Sequence, residues 1–160
     1  MINFRVGYGY DAHRFAPNRK LMLGGVDVPF EQGLDGHSDA DVLVHAVCDA
    51  LLGALALGDI GRHFPDTDPA YKGIDSLILL RKTGELLAKK GYRVGNIDVT
   101  LRMQKPKIAA YVPAMQENLA KALRVETGQI SVKATTTEKM GFEGQGEGAS
   151  ASAVALVWKD

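Results

Sequence analysis

The 160-residue chain has one cysteine, no excess of charge of either sign and no long apolar run. A lone Cys48 cannot close an internal disulfide, which fits a reducing, cytoplasmic setting, and its place in an apolar stretch marks it as core filler. Lys plus Arg and Asp plus Glu stand at 19 each, so no basic field draws nucleic acid and no polybasic arm reaches for a membrane surface. No stretch approaches the ~20 apolar residues a spanning helix needs, and the chain enters a strand-like pattern without an apolar signal segment. Repeats, low-complexity tracts and interdomain linkers are also missing. Residues 1–160 are therefore expected to form a single domain, long enough to bury roughly 70% of its unfolded surface in one core.

What the chain does have is a polar cluster at the mouth of an apolar helix, from Gly36 to Asp49. Ser38 or Asp39 is the expected N-cap, and Asp39 and Asp41 lie where the positive end of a helix favours carboxylates. From Val42 the apolar residues leave no wide wet face, which predicts a largely buried helix ending near Leu57-Gly58. His45 stands inside that run. Taken alone, such a histidine is more often a satisfied core residue than a ligand.

The start of the chain adds weight to the ligand reading. Arg5–Phe15 reads as a strand containing Asp11-Ala12-His13, and strand residues two apart share a face. Asp11 and His13 can thus aim at one point. With His45 they would form an Asp-His-His set, the three-ligand shell in which catalytic zinc keeps its fourth position open. His37 lies outside the helix, free to face a ligand.

Leu21–Val28 reads as a peripheral hairpin around Gly24-Gly25, and Pro29–Gly36 as a loop. Asp59–Pro69 has no regular period. It is either plain turn chemistry or a segment whose carboxylates grip a small polyol. A structural helix is expected from Ser76 to Lys90 with Gly91 closing it, and another from Pro113 through Leu123. Strands are expected at Val94–Met103, with Ile97, Val99, Leu101 and Met103 inward, then at Ile130–Thr135 and Ala149–Trp158. This order suggests an α+β sandwich with helices on one face of a mixed sheet, in a ferredoxin-like version whose uncovered face packs against other copies.

Thr135-Thr136-Thr137-Glu138 follows a strand and precedes a glycine-rich segment. Hydroxyls and freed backbone amides suit phosphate oxygens, and a carboxylate beside them calls for Mg²⁺ or Mn²⁺ between. The competing reading is a capping box, Thr135-x-x-Glu138, at the start of a short helical turn. Lys105 and Lys107 flank Pro106 and could approach an anion.

On Gly9-Tyr10-Asp11-Ala12-His13, on His37-Ser38-Asp39-Ala40-Asp41 followed by His45, on Leu57–Gly61 with Phe64–Asp68, and on Ala134–Lys139, the chain resembles the 2-C-methyl-D-erythritol 2,4-cyclodiphosphate synthase family over nearly its whole length. The resemblance implies a homotrimer of ferredoxin-like subunits with active sites between neighbours. It implies lyase chemistry in non-mevalonate isoprenoid synthesis, in which a cytidine diphosphate substrate closes on itself and releases CMP. Asp11, His13 and His45 match the family's zinc ligands, one Zn²⁺ per subunit, and Glu138 matches the residue at a second divalent ion, Mg²⁺ or Mn²⁺. His37 and Ser38 match loop positions that orient the attacking phosphate. Thr136, from a neighbouring subunit, matches the position that stabilises transferred charge, with Thr135 and Thr137 beside it. Asp59, Ile60 and Gly61, with Phe64, Pro65, Asp66, Thr67 and Asp68, match the methylerythritol wall. Met103, Gln104, Lys105, Pro106, Lys107, Ile108 and Ala109 match the stretch around the cytosine, while Asp11, Ala12, His13, Phe142 and Gln145 complete the substrate-binding set. Gln145 stands where many members carry an arginine, which removes charge and fork geometry from that position. A zinc hydrolase giving an open-chain product, or a zinc-stapled binding module, are the competing readings.

Overall fold

The computed structural model describes residues 3–160, and the strand-like stretches at either end of the chain become its two longest strands. The strands are β1 (Asn3–Pro17), β2 (Leu21–Leu23), β3 (Val26–Val28), β4 (Gln32–Leu34), β5 (Arg93–Arg102), β6 (Ile130–Thr135) and β7 (Gly148–Lys159). The helices are α1 (Val42–Ala54), α2 (Ile60–His63), α3 (Ser76–Lys89), α4 (Val112–Leu123) and α5 (Gly141–Gly144), with single 3-10 turns between some of them.

Five strands form one mixed sheet in the order β4-β1-β7-β5-β6, in which only β5 and β6 run parallel; β2 and β3 pair separately. The α+β class holds. The connectivity differs from the ferredoxin-like expectation, which requires β-α-β-β-α-β. Here β6 and β7 both come last and β7 inserts between β1 and β5. Strand neighbours are set by tertiary packing, which local periodicity does not encode.

Small residues seat α1 against the sheet. A Cβ added at Gly7 would come 1.8 Å from the Ala50 carbonyl oxygen, and one at Gly9 would come 1.9 Å from that of Ala46. The facing positions of β7 are Ala149, Ala151, Ala153 and Ala155, all buried. Around them Leu43, Leu51, Leu80, Leu87, Ile97, Leu101, Met115 and Leu119 fill a continuous core, each such side chain contributing about 1.5–3 kcal/mol by leaving water. Cys48 and His45 both belong to this buried helix. The other face of the sheet exposes Phe4, Val6, Tyr8, Tyr10 and Val154, the even-numbered partners of buried odd positions.

Several local expectations change. Pro29–Gly36 contains β4, which pairs Phe15 with Leu34 and extends the sheet. The hairpin is not peripheral, because Leu21, Leu23 and Val28 are buried in the core. The N-cap of α1 is Asp41, whose side chain accepts from Val44 N, rather than Ser38 or Asp39. The helix stops at Ala54, and Ala56 already takes the left-handed conformation ahead of Gly58. Among the described residues no helix is long and apolar enough to cross a membrane.

Candidate active site

Asp11 and His13 leave β1 on its buried face at the end paired with Ala151 and Ala149 of β7, beneath the first turn of α1. His45 reaches the same point from the helix. Asp11 Oδ2 lies 2.8 Å from His13 Nε2 and 3.0 Å from His45 Nδ1, and the two nitrogens lie 3.3 Å apart. A tetrahedral ion with bonds of ~2.0–2.1 Å places its ligand atoms roughly 3.3–3.4 Å apart, so the three atoms already outline one face of such a shell. Although burial works to raise it, hydrogen bonds to His13 and His45 hold the Asp11 carboxyl down to about 2. Burial opposes protonation of His13, but its hydrogen bond and charge interaction with Asp11 raise it above the ordinary histidine value.

The outward nitrogens are engaged too. His13 Nδ1 lies 2.6 Å from the Asp35 carbonyl, so it donates there and, in the neutral ring, leaves the Nε2 lone pair facing inward. His45 Nε2 lies 2.9 Å from Ser76 Oγ and 3.1 Å from Ser38 Oγ. Two imidazoles each fixed from behind and aimed at one carboxylate oxygen match the donor set of a divalent metal site. Among the described residues this is the group whose ligand atoms converge in that way.

Asp41 serves a different end. Its oxygens accept from Gly24 N at 3.0 Å, Gly25 N at 2.7 Å and Val44 N at 3.1 Å, tying the hairpin to the start of α1. Burial, with repulsion from Asp39, pushes its carboxyl up to about 7 against those three donors. Gly24 and Gly25 both hold positive φ, which leaves their N–H groups free to face one carboxylate.

The remaining predicted residues fall into three places. His37 Nε2 lies 3.3 Å from the Asp68 carbonyl, which joins the polar loop to the 59–69 segment. That segment is more regular than expected. Asp59 caps α2 through Arg62 N, Asp68 caps the 3-10 turn at Pro69–Tyr71 through Ala70 N, and Phe64 packs edge-on against Tyr71. Ile60 N donates to Asp49 Oδ1 of α1, which anchors α2 beside the buried helix, and Gly61 lies within it. Pro65, Asp66 and Thr67 form the connecting turn.

The second cluster lies elsewhere. Register aligns Ala12, Ser150, Arg102 and Thr135 in one row across β1, β7, β5 and β6. Three strand spacings, roughly 14 Å, therefore separate Thr135 from the strand bearing Asp11 and His13. The capping-box alternative does not form: Thr135 Oγ1 donates to the Thr136 carbonyl, and Glu138 and Lys139 hold positive φ. Instead Thr136 Oγ1 donates to Glu138 Oε1, and Thr137 Oγ1 to the Met140 carbonyl. Met103 N donates to the Thr135 carbonyl and Lys139 N to Gln104 Oε1, so the stretch from Met103 to Ala109 starts beside this loop. Gln145 Nε2 donates to the Lys139 carbonyl at 2.6 Å. Phe142 reaches back to line a cleft of about 160 Å³ with Ala12, His13, Arg14 and Glu147.

The YgbB family profile matches residues 4–158. The chain belongs to this family. Among curated YgbB relatives named 2-C-methyl-D-erythritol 2,4-cyclodiphosphate synthase, that of Geotalea daltonii is 60% identical over 153 residues, covering 96% of this chain and 90% of its own. That of Clostridium perfringens is 59% identical over 155 residues, with coverages of 97% and 99%. Among solved structures, the bifunctional IspDF of Campylobacter jejuni superposes with a TM-score of 0.96 at 41% identity; this chain is covered in full and spans 43% of that one. The Plasmodium falciparum IspF CDP complex gives a TM-score of 0.87 at 34% identity, covering 99% of this chain and 98% of its own.

Within this YgbB chain, sequence reasoning missed three residues at the site, Asp35, Asp49 and Ser76, and the bond that Asp39 makes with Ser76. The signal for them is weak, since each supports a neighbour through backbone or hydroxyl contacts from a distant segment. A sizeable cavity elsewhere misleads in the opposite sense. About 440 Å³ opens at the other end of the sheet, lined by Arg81, Tyr92, Arg93, Arg124 and Trp158, and none of the converging ligand atoms is there.

Proposed function

We propose that this chain performs the cyclisation for which its relatives are named. The substrate is 4-diphosphocytidyl-2-C-methyl-D-erythritol 2-phosphate, and the products are the 2,4-cyclodiphosphate and CMP. The observation that carries the reading is the convergence of Asp11 Oδ2, His13 Nε2 and His45 Nδ1 with both outward imidazole nitrogens already bonded. A 2-phosphate oxygen attacks the β-phosphorus in line as the bond to CMP breaks, so no protein nucleophile is required. Holding an intramolecular attack in that geometry supplies up to ~7–11 kcal/mol.

Divalent ions would polarise phosphate oxygens and offset charge on the leaving side, Zn²⁺ held by Asp11, His13 and His45, and Mg²⁺ or Mn²⁺ by Glu138. A single exposed carboxylate such as Glu138 suits Mg²⁺, which keeps several waters and shares substrate phosphates. His37 and Ser38 orient the attacking phosphate beside the triad. Asp59–Gly61 and Phe64–Asp68 hold the methylerythritol hydroxyls, and Met103–Ala109 surrounds the cytosine. Phe142 and Gln145 bound the site on the side of α5. The cytidine reading draws support from relatives crystallised with CDP.

Thr136, which follows β6 at three strand positions from β1 in its own sheet, donates to the transferred phosphoryl group of a neighbouring copy. A homotrimer closed through the face of Phe4, Val6, Tyr8, Tyr10 and Val154 would bring the two half-sites together. The buried, unpaired Cys48 supports a cytoplasmic setting. Incubation with the cytidyl substrate, Zn²⁺ and Mg²⁺ tests the proposal. CMP release with a cyclic diphosphate by phosphorus NMR is expected; an open-chain phosphate would instead make the protein a zinc hydrolase.

A further inference from the structure

The hydroxyl of Ser76 stands between His45 and a carboxylate that touches neither substrate nor ligand atoms. Ser76 Oγ donates to Asp39 Oδ1 and lies 2.9 Å from His45 Nε2, while Ser76 N donates to Asp39 Oδ2 at 3.0 Å. Ser76 is fully buried, so water does not substitute for either partner. A serine hydroxyl has one hydrogen. With that hydrogen directed at Asp39, the Ser76 oxygen is left to accept from His45, which favours a proton on Nε2. In the neutral imidazole Nδ1 then keeps a lone pair for an ion shared with Asp11 and His13, the two groups that this nitrogen faces.

Asp39 and the loop before it are held by three further bonds. Asp39 Oδ1 also accepts from Asp41 N at 3.1 Å, the Asp39 N–H donates to the Ile74 carbonyl at 3.1 Å, and Gly73 N donates to the His37 carbonyl at 2.8 Å. The loop carrying His37 and Ser38 is thereby stitched to the start of α3. Ser38 Oγ accepts from Ala40 N and sits 3.1 Å from the same His45 nitrogen.

We infer that Asp39 and Ser76 are positioning residues for the metal centre, a carboxylate-hydroxyl relay that fixes the tautomer and ring orientation of His45 and locks the substrate-facing loop to the same unit. The inference rests on the reading of Asp11, His13 and His45 as metal ligands. Asp39→Asn preserves shape but places an amide N–H₂ within reach of Ser76, which turns the serine hydrogen towards His45 and favours the wrong tautomer. Ser76→Ala removes the relay outright. Outer partners of metal-bound histidines are worth about 10–100-fold in metal affinity.

The test is competition for Zn²⁺ between the zinc-loaded full-length protein and a chromophoric chelator, with thermal unfolding in parallel. Asp39→Asn and Ser76→Ala should bind Zn²⁺ about 10–100-fold more weakly. Asp75→Ala, which removes the neighbouring N-cap of α3, should lower the unfolding temperature and leave zinc affinity alone. Nitrogen-15 NMR of histidine-labelled, zinc-loaded wild type should show a hydrogen-bonded Nε2–H on His45, a readout that stands even if a variant fails to fold. Wild-type protein that retains no Zn²⁺, or a His45→Ala variant that retains it as well as wild type, would overturn the metal reading and the relay with it. Retention by wild type but not His45→Ala, together with unchanged affinity in both relay variants or a proton on His45 Nδ1, would overturn the relay alone.

Discussion

The triad of Asp11, His13 and His45 and the loop of Thr135–Glu138 occupy the same end of the sheet but are built in opposite ways. Every ligand-bearing histidine of the triad is fixed from behind by a second hydrogen bond, and His45 belongs to the buried face of α1. The threonine loop is exposed and held by bonds among its own near neighbours. The three converging ligand atoms all come from a single fold. The threonine loop has chemistry without a wall to enclose it, which is the condition expected of a surface that meets a second copy.

The sharpest way to break this contrast is His45→Ala. Zinc retention, read by elemental analysis, should be lost, and turnover should fall by about 10³-fold or more with it, since Lewis-acid assistance is worth several kcal/mol. A carboxylate on the open face comes next: Val154→Asp should give monomers by light scattering, retain Zn²⁺, and lose turnover by at least the amount that loss of the threonine alone would cause. That smaller loss is measured by Thr136→Ala, for which removal of one charge-stabilising donor lowers kcat by about 10²–10³-fold with metal content and assembly intact. Full activity in monomeric Val154→Asp would mean that one chain completes the site.

The mildest test concerns Asp98 and Lys133, paired at 2.7 Å on that open face. The hydrogen bond from Lys133 holds the Asp98 carboxyl below its ordinary value of 3.8. The pair therefore stabilises the fold above that value and loses its contribution as pH falls through the lowered one. Both side chains are about half exposed, so Lys133→Met should cost less than about 1 kcal/mol near pH 6 and progressively less as the pH falls below the ordinary carboxylate value, by denaturant midpoints.

The triad was legible because two local periods locate it: residues two apart on a strand, and a histidine that breaks an apolar helix. The strands of β5 and β6 and the helices α3 and α4 followed for the same reason, their buried residues recurring at regular intervals. β4 was not legible, since a three-residue strand with a central glycine shows no period and forms only because the end of β1 offers it a partner. The relay through Ser76 was equally hidden. Asp39 and Ser76 are 37 residues apart, and Ser76 read alone is an ordinary residue at a helix start. The 59–69 segment was read as irregular because its order comes from caps rather than from an apolar stripe.

The glycines and alanines beneath α1 have a further effect on chemistry. With backbone resting on backbone at Gly7 and Gly9, the spacing between β1 and the helix cannot be tuned by a change of rotamer, because no side chain lies in between. The ligand atoms carried on those two elements inherit a fixed gauge. Reactivity at the mouth of the fold is thus calibrated several residues away, by positions whose only contribution is to have nothing there.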